Sequence, residues 1–103
     1  MDNREQIERI TRYETMMDRV VASNNALEKA LELFEKTEEM SAELDRYLAG
    51  DDWKHDFYDD EDGLLPKDLK RGVLSEDGLY DALNERRALY GQMLRVCAAF
   101  FEK

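Results

Sequence analysis

One proline, five glycines, one histidine and one cysteine in 103 residues leave the chain few ways to turn and none to cross-link itself. Few turns suit long helices more than short strands. With Cys97 alone there is no disulfide framework, and a reducing cytoplasm is the expected compartment. Residues Met1 to Gln6 hold no apolar run of the signal-peptide kind, which agrees with that location. Charges recur so often that no stretch is suited to spanning a membrane. Basic residues are also scarce, 15 against 25 acidic for a formal charge of −10, so phosphate backbones would be repelled and a nucleic-acid binder is disfavoured. The hydrophobic share of 43% allows a modest core and the charged share of 39% keeps it thin. A chain of this length is read as a single helical domain over residues 1–103.

What is present is a heptad pattern. Residues 4–49 contain no Gly and no Pro. With Ile10 at position a, the a positions are Ile10, Met17, Asn24, Leu31 and Glu38, and the d positions are Tyr13, Val20, Leu27, Phe34, Ser41 and Leu48. Met16, Val21, Ala30 and Leu44 widen the seam. The pattern predicts a helix over about 4–49, roughly 67 Å at 1.5 Å per residue. Ser23-Asn24-Asn25 is its weak point, because all three are poor helix formers. Either the chain turns there, or the helix continues with Asn24 as a polar seam residue that fixes register. The unbroken phase of the heptads favours continuity.

Gly50 reads as a left-handed helix stop. A cap segment, 51–74, follows. Asp51 or Asp52 can cap a short helix carrying Trp53 and Phe57, Asp59-Asp60-Glu61-Asp62-Gly63 reads as a solvated loop, and Pro66 can open a single turn through Leu69. Ser75 is a good N-cap for a last helix over about 76–102, with Glu76 and Asp77 in its first turn. Leu79, Leu83, Leu89, Tyr90, Met93, Val96, Cys97 and Phe100 lie on its stripe, which Arg86 interrupts. The expected fold is all-α: a long, coiled-coil-like antiparallel hairpin in which the last helix pairs with the N-terminal part of the first. The segment Trp53–Leu74 folds back over Leu31, Phe34, Met40 and Leu44. Failing that, a second chain must cover the stripe.

The order of a charged first helix, an acidic middle with Trp53, and Leu65-Pro66-Lys67-Asp68-Leu69-Lys70-Arg71-Gly72-Val73-Leu74-Ser75-Glu76-Asp77 opening a final helix resembles a small bacterial family of unknown function. The resemblance spans nearly the whole chain and is most specific at residues 65–77. It implies an all-helical cytoplasmic bacterial protein and supplies no activity, substrate or catalytic residue.

Candidate chemistry is sparse. Asp59, Asp60, Glu61 and Asp62 are weak candidates for a hard cation, but an EF-hand register would put Tyr58 and Leu69 at ligand positions, so no metal or other cofactor is expected. His55, the single histidine, reads as exposed beside Asp56, since no nucleophile elbow or thiol-protease pattern accompanies it. Cys97 reads as a buried, inert thiol. Lys67, Lys70, Arg71 and Ser75, at the predicted start of the last helix, have the composition of an anion or partner site. The competing reading pairs Lys70 and Arg71 with the chain's own carboxylates. Asn24, Arg86 and Trp53 read as residues of structural specificity, with Asn24 and Arg86 close across the seam.

With no catalytic constellation, the sequence reads as a non-enzymatic helical module that binds another protein and possesses the means to form a homodimer. The rivals are an acidic inhibitor that mimics nucleic acid, and a small-anion or ligand binder in residues 66–77 between Trp53, Arg71 and Ser75.

Overall fold

The computed structural model describes residues 2–75 and 77–103. Among them the chain is all-α: α1 (Arg4–Lys36), α2 (Glu38–Ala49), α3 (Asp51–Glu61), a 3-10 turn (Gly72–Leu74) and α4 (Gly78–Phe101). They form two compact units, Met1–Glu38 and Glu39–Lys103. No helix is long and apolar enough to cross a membrane among the described residues.

The first unit is in essence α1. It runs without interruption through Ser23-Asn24-Asn25, as the unbroken heptad phase requires. None of its residues is buried, and Ile10, Tyr13, Met17, Val20 and Leu27 are each more than half exposed along the predicted seam.

The predicted helix over 4–49 is divided at Thr37. The Thr37 hydroxyl donates to the Phe34 carbonyl at 2.9 Å, and its amide is shared between the carbonyls of Leu33 and Phe34. Such back-bonding by a β-branched hydroxyl perturbs a helical ladder without Gly or Pro, so the break carries no strong sequence signal. Gly50 also departs from expectation. Its φ of −96° and ψ of 177° are extended, and it serves as N-cap residue of α3, with Asp51 and Asp52 in the first turn. The left-handed glycine is Gly63, φ 72°. The Leu64 amide donates to Asp59 O and the Gly63 amide to Asp60 O, the paired closures of a Schellman motif. The acidic run Asp59 to Glu61 is therefore the last turn of α3 and not a solvated loop.

The second unit is held by a few specific contacts. Trp53 and Phe57 stack at 5.1 Å on one face of α3, and the Trp53 indole N–H donates to the Val73 carbonyl at 2.9 Å. That bond docks the 3-10 turn on α3. The turn in turn carries Leu74 against the start of α4, where Leu79 and Leu83 complete the core. Leu74, Leu79 and Leu83 are the buried hydrophobic side chains among the described residues. Asp45 of α2 receives Arg87 of α4 at 3.1 Å, an exposed tie of small energetic weight.

The turn expected at Pro66 is present, closed by Leu69 N–H to Pro66 O at 3.2 Å. The cap does not cover Met40, which is 63% exposed; it docks through Leu74 on α4 instead. The expected pairing of the last helix with the N-terminal part of the first involves residues of both units. Within its own unit, α4 packs its opening turns and leaves Leu89, Tyr90, Val96 and Phe100 exposed. Cys97 is exposed with them, against the expected buried thiol, because the stripe beyond Leu83 has no covering layer within the unit.

Candidate functional site

Lys67, Lys70, Arg71 and Ser75 occupy the connection between α3 and α4. The structure uses two of them internally. The Arg71 guanidinium is bound through Nη1 to Asp60 of α3 and through Nη2 to the Pro66 carbonyl, and Nε donates to the Leu69 carbonyl at 3.3 Å. Its planar fork thus closes the 66–71 turn onto the C-terminal end of α3, where a cation also meets the negative end of the helix dipole. With three donors engaged in this way, Arg71 is a brace and not an open anion receptor.

Ser75 is likewise occupied. Its hydroxyl donates to Gly72 O at 2.9 Å and accepts from the Gly78 amide at 3.1 Å. One of the orphan amides that open α4 is therefore satisfied by the residue predicted to cap it, although the helix proper begins at Gly78 after Asp77. Glu76, expected in that first turn, lies outside the described residues. Lys67 and Lys70 are exposed. The carboxylate that Arg71 pairs with is Asp60.

Trp53 joins α3 to the 3-10 turn through its indole N–H. Its indole N–H, the Arg71 fork and the Ser75 hydroxyl are all turned to partners within the unit. The polar handles of the supposed ligand site are spent on the fold.

The weak metal candidates are dispersed. Asp60 is taken by Arg71, Asp59 lies 3.7 Å from His55 Nδ1, and Glu61 and Asp62 are exposed. Among the described residues no three His, Cys, Asp or Glu side chains are grouped to hold a metal ion. His55 is exposed with Asp56 3.8 Å away, as the sequence suggests.

One polar contact had no sequence signal. The Tyr47 hydroxyl of α2 donates to Asp56 Oδ2 of α3 at 2.7 Å. Burial, reinforced by the hydrogen bond to Asp56 and by the charges of Asp56 and Asp52, pushes the Tyr47 pKa up to about 12. Nothing about a nine-residue separation across a helix break marks this pair in advance.

Of the remaining specificity residues, Arg86 is half-buried with its guanidinium 5.8 Å from the centre of the Tyr90 ring. Asn24 is exposed on α1, in line with Met17 and Leu31. Along α1 the exposed side chains at the predicted seam are mostly apolar.

The two units define an all-helical protein with an exposed apolar face along α1. The chain belongs to a family described as a domain of unknown function (DUF4298), whose model matches residues 10–96. No curated protein and no solved structure matches it. The family match covers both the heptads of α1 and the segment 65–77 that carried the resemblance.

Proposed function

We propose that this chain is a non-enzymatic, cytoplasmic protein–protein interaction module whose working surface is the apolar stripe of α1. The observation that carries the reading is the exposure of Ile10, Tyr13, Met17, Val20 and Leu27 at heptad a and d positions, with the polar Asn24 between the last two. A continuous apolar face of this kind marks a binding surface, and its periodicity matches the anchors by which helices dock on helices. Supporting it, the rival surface at Arg71 is consumed by internal bonds. The lone, exposed Cys97 accords with a reducing compartment.

The test is a tagged pull-down from native cells with the full chain and with the Val20→Glu/Leu27→Glu variant, washed at about 50 mM and about 500 mM salt. A near-stoichiometric partner that survives high salt and is lost with the variant is expected. Both substituted residues are exposed on α1 and lie outside the core at Leu74, Leu79 and Leu83, so residues 39–103 keep their fold, and circular dichroism reports how much of α1 stays helical. A partner released by salt and indifferent to the variant would instead support the acidic mimic.

A further inference from the structure

We propose that the helix received by the α1 stripe is α1 of a second copy of this chain, aligned parallel and in register. This deepens the interaction-module reading and rests on it. Four heptads of a and d residues run from Ile10 to Phe34, exposed from Ile10 to Leu31, and are enough to specify a two-stranded coiled coil. What favours a second copy is that the residues beside the seam pair with their copies without like charges meeting, one pair being of opposite charge and one apolar.

In a parallel pair, the residue preceding each a position faces the residue five places further along the other helix. For this sequence those pairs are Arg9 with Glu14, Met16 with Val21, Ser23 with Glu28 and Ala30 with Glu35. Opposite charges meet at the first, apolar side chains at the second, and no pair sets like charges together. By symmetry each occurs twice. Met16 and Val21, each half exposed on α1, gain cover from a copy in this alignment and widen its apolar seam.

Asn24 fixes the direction. In the parallel alignment it stands opposite its own copy, so two side-chain amides can hydrogen-bond within the seam, a known device for register and two-strandedness. The antiparallel alignment that sets Met17 against Leu27 places Asn24 against Val20, which has no polar group to offer. That alignment also brings Glu14 beside Glu28, a like-charge pair.

The experiment is sedimentation equilibrium on the full chain over a wide concentration range, with oxidative cross-linking of an Ile10→Cys/Cys97→Ser variant. The expected results are a reversible dimer and a disulfide-linked dimer. A disulfide requires Cα atoms within about 7 Å. Only an in-register parallel pair brings position 10 to its own copy; the antiparallel one sets it near Phe34. Arg9→Glu should weaken the dimer by on the order of tenfold, and Arg9→Glu/Glu14→Arg should restore it. A helical chain that stays monomeric throughout overturns the proposal, as does a dimer that fails to cross-link. If the monomer still retains a stripe-dependent partner in the pull-down, the interaction reading stands and the second copy alone is refuted. If it retains none, both fall.

Discussion

Tyr47 and Asp56 show how one hydrogen bond can make stability depend on pH. The bond joins α2 to α3 across a half-buried contact, and the neutral phenol is the form that donates it. Because the folded-state pKa is raised from 10.0 to about 12, the contribution is fully present below pH 10 and is lost as pH rises toward 12, where the unfolded chain releases the proton more readily. Tyr47→Phe removes that linkage together with the bond. At neutral pH it should lower stability by about 1 kcal/mol. Between pH 10 and 12 the gap from the parent chain should narrow, as denaturant titrations at each pH would reveal. An unchanging gap would mean that the phenol does not titrate differently in the two states. Arg71 acts on the same scale but in the opposite sense. A cation that composition marks as a receptor is turned inward, and three bonds define it where the sequence displays only a charge.

Among the elements, α4 begins at a junction tight enough to reverse an ordinary propensity rule. Gly78 and Gly91 both lie in α4, and helix propensity alone favours alanine at each. A Cβ on Gly78 would overlap the Ser75 hydroxyl and come within 3.1 Å of the Gly72 carbonyl, the two groups that bond each other to close the turn. A Cβ on Gly91 would meet only Arg95 Nη1, at 3.5 Å. Thermal melts should therefore show Gly91→Ala stabilising by up to about 1 kcal/mol and Gly78→Ala destabilising by a comparable amount. Equal effects of one sign would show that the Ser75 turn is too loose to matter. The same elements mark what the sequence could and could not disclose. Periodicity carried α1 through Ser23-Asn24-Asn25, and Ser75 announced the start of α4, because both are local signals. The end of α3 was hidden by its own composition: four acidic residues before a glycine read as a solvated loop, while the Gly63 closures and the Arg71 fork hold three of them in a helix. Thr37 was hidden because a hydroxyl bonded to its own helix is compatible with either continuity or a break. Within the candidate site, residue types located Arg71, Ser75 and Trp53, but their partners depend on how the turn after α3 closes.

For the molecule as a whole, the two units draw their order from different sources. Residues 39–103 contain a core of their own, small but joined by the Trp53, Tyr47, Arg71 and Ser75 bonds. The 33 residues of α1 include none that is buried, and a helix in water draws most of its stability from a packed face. In the proposed dimer a second copy would supply that face in proportion to its concentration, since association that stabilises only the ordered state acts by mass action. Hydrogen exchange should then separate the units. Amides around Leu74, Leu79 and Leu83 should exchange at rates independent of protein concentration. Those from Tyr13 to Leu31 should slow as the chain is concentrated through its dimerisation range, and Val20→Glu/Leu27→Glu should abolish the slowing while leaving the first group unchanged. Protection of α1 that is already complete at the lowest concentration would instead assign its cover to the chain itself. The stripe would then be an internal seam, and the site of partner binding would have to be sought on the exposed half of α4.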